Sequence, residues 1–338
     1  MDIIELDIND SSAVEQWFIA TQKVRVHDIP DFPESTLECE LKGLRHPWPG
    51  NREELWLAVE NGNVVGYFQL SLPILDNLSN VEVDLCVLPE RRRRGIGRAL
   101  YAKAVERARA NDRTTMIAMA PETLPGTGIV RDDAGNAFAA AMGAKRVHED
   151  VRRRWEADSI SEVDIRAQLT EAWKHAAGYE LVTWRERVPD NLVESQAYLD
   201  SRLVKDAPMG GLAWEPENFD VARVRAGEEV AAARGRRQFA AGIVHSETGR
   251  LAAYTVIGMD GGTDWHGWQL ITIADPDHRG HRLGTIVKLE NVLFARSMWP
   301  ELWVVDTWNA AVNQHMISIN EAMGFRKMET WVNWQQKI

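Results

Sequence analysis

The chain has 338 residues and a formal net charge of −11, with 45% hydrophobic and 26% charged residues. These proportions are typical of globular proteins and exclude a disordered, collagen-like or fibrous chain. The acidic balance argues against a general nucleic-acid partner and leaves room for a cationic substrate. The chain has only two cysteines, Cys39 and Cys86, too few for a disulfide framework or a structural zinc site.

Targeting and membrane-spanning features are absent from the sequence. No run of about 18 apolar residues is present that could form a membrane-spanning helix. The segment MDIIELDINDSS has neither the basic region nor the apolar region of a signal peptide. We therefore expect a cytoplasmic protein with no membrane partner and no bound metal, and the length favours two domains.

One order of predicted elements, β-α-β-β-β-α-β-α-β, occurs twice, first near the start of the chain and again after about residue 176. A glycine-containing turn separates the second and third strands, as in a hairpin, and the fourth strand ends at a proline. The later helices carry apolar residues at helical spacing, and the last one ends at a glycine. The segments of the first copy are 3–20, 55–60, 64–72, 81–89, 96–108, 114–120, 135–144 and 145–157, and those of the second are 179–203, 239–246, 251–259, 268–276, 286–293, 302–308, 313–325 and 326–338.

This repeat predicts an α/β (α+β) fold class with two tandem domains, each a mixed, mostly antiparallel sheet flanked by helices. The expected domains are 1–157 and 179–338, joined by an amphipathic linking helix over 158–178. Each domain is expected to be closed by its own last strand. The segment 21–54, which contains HDIPDFP and RHPWPG, is predicted to be rich in loops.

A basic, glycine-rich turn follows the fourth strand of the first copy, in the sequence VLPERRRRGIGRAL. Arg92, Gly95 and Gly97 fit the pattern R-x-x-G-x-G. Backbone N–H groups at a helix N-terminus bind anions, glycine lets a pyrophosphate approach closely, and arginines neutralise phosphate charge. The turn therefore predicts a phosphate site, with a solvated basic face or a nucleic-acid patch as the alternatives. A G-x-G-x-x-G dinucleotide site does not fit, because the turn follows the fourth strand and its glycine spacing differs.

This turn resembles the coenzyme A signature of the GNAT superfamily of acyl-CoA-dependent N-acetyltransferases, in its tandem two-domain form. The second copy, ADPDHRGHRLGTIV, aligns with the signature from Pro276: Arg279 and Gly284 match, and Arg282 replaces the first glycine. Because positive φ is costly for a residue other than glycine, we expect Arg282 to adopt ordinary helical geometry. The segment NEAMGF resembles the family's closing helix, and Asn313 stands where the family often has asparagine.

The resemblance implies acetyl-CoA as co-substrate, with its pyrophosphate on the backbone amides of residues 92–97. Its pantetheine would lie beside residues 86–88, where the fourth and fifth strands splay apart. A backbone amide near Val87 or Leu88 would polarise the acetyl carbonyl. An amine would then attack directly, without a covalent enzyme intermediate. The expected cofactor-binding residues are Val87, Leu88, Arg92, Arg93, Arg94, Gly95, Ile96, Gly97 and Arg98 in the first copy, and Arg279, Gly280, His281, Arg282, Gly284 and Asn313 in the second.

Two carboxylates on the fourth strand are the expected catalytic residues. A protonated amine must lose a proton before it attacks, and a carboxylate can take that proton, often through water. Glu82 and Asp84 lie two residues apart and share one face of the strand. The alternative role for each is a solvent-facing or salt-bridged carboxylate. The second copy has Gln269 and Ile271 at the matching positions.

Which copy is catalytic stays open from the sequence. The tyrosine that protonates the leaving thiolate in the family aligns with Ala139 in the first copy and Asn320 in the second, so the general acid is undetermined. The intact glycine signature and the acidic strand favour the first copy. The second has the better closing helix but carries Arg282 in its turn.

The acceptor site of the family often involves the region after the first helix. His27, Asp28, Asp31 and Trp48 are the expected substrate contacts, with an ordered surface loop as the alternative. The expected activity is acetyl transfer to a primary amine of a small molecule, an antibiotic or a metabolite, by a monomer or homodimer. The alternatives are mycothiol synthase-like acetylation of an amino-thiol conjugate, acetylation of protein lysines, and a degenerate CoA-binding or scaffold protein without turnover.

Overall fold

The computed structural model describes all 338 residues and contains nine α-helices and twelve β-strands. The chain forms two compact units. Unit 1 comprises residues 1–150, 209–215 and 329–338, and unit 2 comprises residues 151–208 and 216–328. None of the nine helices combines the length and the apolar character needed to cross a bilayer.

Unit 1 is built around a mixed sheet with helices packed against it. Its elements in chain order are β1 (Asp2–Glu5), α1 (Ser11–Asp28), α2 (Leu37–Arg45), β2 (Asn51–Glu60), β3 (Asn63–Pro73), β4 (Asn80–Val87), α3 (Ile96–Ala110), β5 (Thr115–Glu122), α4 (Ala134–Ala141) and the first part of β6 (Lys145–Glu156).

Unit 2 repeats this order of elements after the second part of β6. They are α5 (Glu162–Trp173), β7 (Tyr179–Arg185), α6 (Val193–Asp206), α7 (Val221–Ala233), β8 (Arg237–His245), β9 (Leu251–Met259), β10 (His266–Ala274), α8 (Leu283–Met298), β11 (Val304–Ala310), α9 (Gln314–Ala322) and the start of β12 (Arg326–Lys337).

The strand order confirms the predicted fold class. In unit 1 the order is β1-β2-β3-β4-β5-β12, and in unit 2 it is β6-β11-β10-β9-β8-β7. The pairs β4–β5 and β10–β11 are parallel. The pairs β1–β2, β2–β3, β3–β4 and β5–β12 in unit 1 are antiparallel, as are β7–β8, β8–β9 and β9–β10 in unit 2. Each sheet is therefore mixed and mostly antiparallel.

The closing strands differ from the prediction. Residues Thr330 to Lys337 of β12 pair with β5, so the last strand completes the sheet of unit 1. The strand predicted to close the first copy, β6, lies next to β11 in unit 2. The assignment of each closing strand to its own copy was wrong, because a strand pattern does not identify the partner strand. The compact units thus combine segments that the expected domains 1–157 and 179–338 assign to different domains. Helix α5 lies within the segment 158–178, where a linking helix was expected.

The loop-rich prediction for residues 21–54 was also wrong, because α1 continues through residue 28 and α2 follows. The hydroxyl of Thr36 caps α2 by accepting a hydrogen bond from the N–H of Cys39 at 3.2 Å. Leu37, Leu41 and Leu44 of α2 repeat at helical spacing and pack into the apolar cluster that covers α1. The additional helix α7 takes the corresponding place in the order of unit 2.

Two apolar clusters fill the two faces of the unit 1 sheet. One packs α3 against the sheet around Leu100, and the other packs α1 around Trp17. The neighbouring residues Leu57 and Ala58 belong to different clusters, because successive side chains of a strand point to opposite faces. The two cores thus fix the end of β4 against the start of α3.

Candidate functional site

The turn between β4 and α3 presents backbone N–H groups at the start of a helix. A 3₁₀ turn, Pro89–Arg91, is followed by Arg93 and Gly95, which both have positive φ, 64° and 87°. Gly95 is the N-cap of α3, and no side chain caps this helix. The first N–H groups of α3 therefore have no capping partner, and the helix dipole favours an anion beside them.

The two glycines of this turn are needed for different reasons. At Gly95 a Cβ atom would meet nothing within 4 Å, so the backbone conformation alone calls for glycine. At Gly97 a Cβ atom would lie 3.3 Å from the Phe138 ring of α4, which is tighter than ordinary packing. Gly97 therefore lets α4 approach α3 closely.

The second turn has the same backbone conformation as the first. Gly280 has φ 90°, and Arg282, the N-cap of α8, has φ 56° and ψ 21°. The expectation of ordinary helical geometry for Arg282 was wrong. Glycine and arginine have exchanged places between the turns, since Arg93 and Gly280 share one position and Gly95 and Arg282 share the other. The exposed Arg282 accepts the left-handed conformation at a cost of about 1 kcal/mol.

The parallel strands β4 and β5 splay apart beyond their first residues, as the resemblance implies. Their pairing covers only Asn80 to Glu82 of β4. The N–H of Leu88 donates to the carbonyl of Val65 at 3.1 Å and is used within the sheet. Since alternate residues of a strand direct their N–H groups to opposite edges, the N–H of Val87 faces the open edge. Of the two amides expected to polarise a carbonyl, that of Val87 has the required direction.

A groove opens between the splayed strands and is covered by α3 and α4. Its volume is about 660 Å³, including the part that is open to solvent. Most of its lining is apolar, with Asp84, Tyr101 and Gln336 as polar exceptions. The lining residues are Val83, Asp84, Leu85, Tyr101, Met116, Ala118, Met119, Ala120, Gly135, Phe138, Ala139, Met142, Ala144, Trp334 and Gln336.

One wall of the groove comes from β12, which the sequence did not indicate. The hydroxyl of Tyr101 donates to Oε1 of Gln336 at 2.6 Å. Nε2 of Gln336 donates to the carbonyl of Met142 at 2.9 Å, at the end of α4. Nε1 of Trp334 donates to Oδ1 of Asn136 at 2.8 Å. These bonds connect β12 to both helices that cover the groove.

Asp84 lies at the edge of this groove on β4. Its side chain is exposed where β4 separates from β5, yet protein surrounds much of it, and the resulting loss of hydration raises the pKa of its carboxyl. The negative charge of Asp28 adds to this rise, while a hydrogen bond from Cys86, with Sγ 3.5 Å from Oδ1 of Asp84, opposes it. Asp84 is thus a carboxylate whose affinity for a proton is increased.

The surroundings of Asp84 on the same face are neutral donors. Burial raises the pKa of the Cys86 thiol and of the Tyr67 hydroxyl well above their ordinary ranges, so both stay protonated. Glu82, the other expected catalytic residue, is exposed like Asp84 but lies where β4 still pairs with β5. It is not part of the groove lining, whereas Asp84 is.

The side chain of Arg92 binds carboxylates. Nη2 donates to both carboxylate oxygens of Asp28 at 2.9 and 2.7 Å, and Nη1 donates to Oδ2 of Asp132 at 2.5 Å. Nε donates to the carbonyl of Val87 at 3.2 Å. The next signature arginines, Arg93, Arg94 and Arg98, are exposed.

Three of the four expected substrate residues, His27, Asp28 and Asp31, belong to ion-pair networks on unit 1. Nδ1 of His27 lies 2.7 Å from Oδ1 of Asp28. Asp31 pairs with Arg131, whose buried guanidinium also lies 2.8 Å from Glu329. Trp48 is half-buried in the turn before β2 and is not part of the groove lining.

A cation site at this network is disfavoured by its charges. One ligand atom each from His27, Asp28 and Asp132 lies within 4.8 Å of the others. However, the guanidinium of Arg92 already binds both carboxylates. A metal ion there would meet a fixed positive charge at short range.

Unit 2 lacks a counterpart of Asp84. Ile271 stands at the position of Asp84. Gln269, at the position of Glu82, is buried, and its Nε2 donates to Oγ1 of Thr255 at 2.7 Å. The register of β10 against β9 shifts between Gln269 and Thr272. The parallel pairing of β10 with β11 ends at Trp268, so these strands also separate. Unit 2 keeps the turn and the splay but not the carboxylate.

The other expected residues of unit 2 have structural partners. Asn313 caps α9, since its Oδ1 accepts from the N–H of Met316 at 3.2 Å. Arg279 pairs with a carboxylate of α6, at 3.3 Å from Oδ2 of Asp206. Nδ1 of His281 lies 2.9 Å from the carbonyl of His175.

Comparisons with known proteins agree with this fold. The sequence profile of the acetyltransferase (GNAT) family matches residues 21–125. The chain is similar to a solved structure described as a tandem GNAT protein from the clavulanic acid biosynthesis pathway, without AcCoA, with 33% identity over 99% of this chain and 98% of that chain and a TM-score of 0.81. No match is found among curated proteins.

Two further solved structures share the fold at low identity. A GCN5-related N-acetyltransferase from Sphaerobacter thermophilus has 14% identity over 99% of this chain and 95% of that chain, with a TM-score of 0.64. A glucosamine N-acetyltransferase region of a fungal multi-domain GH3 beta-N-acetylglucosaminidase has 14% identity over 99% of this chain and 38% of that chain, with a TM-score of 0.68.

The chain belongs to the GNAT acetyltransferase family, in its tandem form, and is an acyltransferase. Acetyl-CoA is the co-substrate of this family, and its enzymes act on small-molecule or amine substrates.

Proposed function

We propose that the chain transfers an acetyl group from acetyl-CoA to a primary amine of a small molecule, and that unit 1 is the catalytic unit. The observation that carries the proposal is the position of Asp84, at the edge of an apolar groove and on the strand that ends at the anion-binding turn. Unit 2 has no carboxylate at the matching position, which favours unit 1.

The turn and the groove fit the parts of acetyl-CoA by their chemistry. The uncapped N–H groups of α3, with Arg93, Arg94 and Arg98 around them, suit a pyrophosphate. The apolar groove between β4 and β5 suits the pantetheine arm. The N–H of Val87 at the open edge suits a carbonyl oxygen that gains negative charge.

The proposed reaction is a direct attack on the thioester. Asp84 takes a proton from the substrate ammonium, directly or through water, and the raised pKa of its carboxyl favours this transfer. The amine nitrogen then forms a bond to the acetyl carbon. The C–S bond breaks as the nitrogen releases its second proton to water, and the sulfur leaves as a thiolate that takes a proton from water, since Ala139 stands where the family has a tyrosine.

The acceptor is proposed to be a small cationic amine. The region around Asp84, Asp28, Asp31 and Asp132 is taken as the acceptor side of unit 1. Its four carboxylates give it an acidic character, although arginines balance part of it. The relative of 33% identity is described as a protein of a small-molecule biosynthesis pathway, which supports a small molecule over a protein lysine.

Calorimetric titration with acetyl-CoA tests which turn binds it. The matched variants are Arg94→Glu/Gly95→Glu and His281→Glu/Arg282→Glu, which alter the same two positions of the two turns. We expect binding near one equivalent that only the unit 1 variant abolishes. Loss of binding only in the unit 2 variant would make unit 2 the catalytic unit. If the wild type did not bind acetyl-CoA, a scaffold role without turnover would be favoured.

Release of the CoA thiol tests turnover. Spermidine, glucosamine, kanamycin and a lysine-rich peptide are offered in parallel with acetyl-CoA. We expect thiol release with at least one of the small amines. Turnover of the peptide alone would favour a protein lysine acetyltransferase instead.

A second candidate function rests on the turn of unit 2. It has left-handed residues at the same two positions as the turn of unit 1, and no side chain caps α8. This favours a second anion-binding site, and the same titration tests it: binding of two equivalents, with each turn variant removing one, supports acetyl-CoA in both units.

A further inference from the structure

The first arginine of the signature, Arg92, has a different environment from the arginines that follow it. Its side chain is 18% exposed and points to carboxylates, whereas Arg93, Arg94 and Arg98 are exposed at the start of α3. We propose that Arg92 is a positioning residue that fixes the acceptor side of the groove and does not bind the phosphates of acetyl-CoA. This inference rests on the proposed function of unit 1.

All three nitrogens of the Arg92 guanidinium donate hydrogen bonds within unit 1. Nη2 binds both oxygens of Asp28, Nη1 binds Asp132, and Nε binds the carbonyl of Val87. Lysine offers one nitrogen in place of three and cannot bridge these partners in a fixed plane. Because its donors are engaged in this way, the guanidinium is not left to neutralise a phosphate.

The partners of Arg92 lie on or beside three elements, of which β4 and α4 line the groove and α1 does not. Val87 ends β4, and Asp28 ends α1. Asp132 precedes α4, and its Oδ1 accepts from the N–H of Ala134 at 2.9 Å, at the first residue of that helix. Arg92 therefore connects the strand that carries Asp84 to the end of one helix and the start of another.

The same contacts set the charge beside Asp84. Asp28 raises the pKa of the Asp84 carboxyl through its negative charge, and Arg92 neutralises Asp28. Without Arg92 the charges of Asp28 and Asp132 would be uncompensated, and the pKa of Asp84 would rise further. The other titratable groups near these residues are Glu82 and Cys86 on β4, Tyr67 on β3, His27 on α1 and Glu40 on α2.

The first test separates positioning from phosphate binding. Arg92→Gln and Arg94→Gln remove the same charge from the same turn, and both are titrated with acetyl-CoA. We expect the Kd of Arg92→Gln to stay within about twofold of the wild type and that of Arg94→Gln to rise at least fivefold. An equal loss of affinity in Arg92→Gln would overturn the inference.

The second test needs no substrate. Hydrogen exchange of the peptides covering the end of α1 and residues 123–133 is expected to be at least tenfold faster in Arg92→Gln and unchanged in Arg94→Gln. Arg92→Lys is expected to resemble Arg92→Gln, because charge alone does not restore the bridge. Unchanged exchange in both Arg92 variants would contradict the positioning role, and melting temperatures check that each variant is folded.

The third test uses the pH profile with the panel amine that is acetylated fastest. The acidic limb of kcat/KM is expected to shift to higher pH in Arg92→Gln, less so in Arg92→Lys, and not in Arg94→Gln. A wild type that binds no acetyl-CoA would defeat the proposed function, while the exchange measurement would still decide the role of Arg92.

Discussion

Gly95 and Arg282 occupy the same position in two copies of one turn, and both have positive φ, 87° and 56°. Each is the N-cap of a helix that has no side-chain cap. The opposite replacement occurs two residues earlier, where the first turn has Arg93 and the second has Gly280 at the corresponding position. Loss of a signature glycine has therefore not changed the backbone of the turn, so the conformation cannot be judged from the glycine pattern alone.

Replacing Arg282 by glycine should stabilise unit 2. Glycine adopts this φ without the steric cost of a Cβ atom, which is about 1 kcal/mol, although glycine also loses more backbone entropy on folding. We expect a rise of about 1–3 °C in the melting temperature. Gly280→Ala should lower the melting temperature, and a fall in Arg282→Gly as well would contradict the strain argument.

Replacing Asp84 by asparagine should reduce kcat/KM by about 10²–10³-fold, the usual contribution of a general base. The pKa of the carboxyl is raised and its ionised form is the base, so wild-type activity should fall as pH decreases through that pKa. The activity of the variant should not show this fall at low pH, and its Kd for acetyl-CoA should equal that of the wild type. Glu15→Gln, an exposed change of equal charge, should retain the wild-type profile.

Lys288 on α8 is fully buried, and its Nζ has no hydrogen-bond partner. Burial lowers its pKa to about 7. The unfolded chain binds this proton up to its ordinary pKa of 10.5, so stability should rise with pH between about 7 and 10.5. Lys288→Met should be more stable than the wild type by about 4 kcal/mol at pH 7, and its stability should not show this rise with pH.

Thermal unfolding between pH 6 and 10 measures this effect. Lys145→Met, which changes an exposed lysine, should leave the slope of stability against pH as it is in the wild type. If Lys288→Met were less stable than the wild type and its stability changed with pH as in the wild type, the ammonium group of Lys288 would have a stabilising partner, contrary to this prediction.

The carboxylate of Asp306 is buried between Arg152, Arg154 and His266, with the shortest contacts at 2.7 to 3.0 Å. Asp306→Asn would remove the buried negative charge that these positive groups pair with, so we expect a loss of about 3–5 kcal/mol in stability. Glu38→Gln, which breaks an exposed pair with Lys42, should change stability much less, because solvent screens the pair. Thermal unfolding of both variants compares the two costs.

Local sequence patterns predicted the fold and the turn well. The proline, the arginines and the glycines of the signature lie within one short segment, and their structure depends on near neighbours. Helix α2 could also have been found, because Leu37, Leu41 and Leu44 repeat at helical spacing and Thr36 is a capping residue.

Features that depend on distant partners could not be predicted. The sequence shows that β12 is a strand but contains nothing that identifies β5 as its neighbour. The groove wall formed by Trp334 and Gln336 follows from that pairing. Arg92 was expected at a phosphate because its pattern is local, whereas its carboxylate partners lie 64 and 40 positions away in the chain.

The exchange of closing strands has a consequence for biosynthesis. Trp334 reaches its partner Asn136 across 198 positions of the chain, and all of unit 2 is encoded between them. While the ribosome is still making unit 2, the edge of β5 lacks its neighbour, and an unpaired edge invites association with other nascent chains. The groove of unit 1 therefore matures only after translation has passed unit 2, so a ribosome that stalls there releases a chain without a finished binding site.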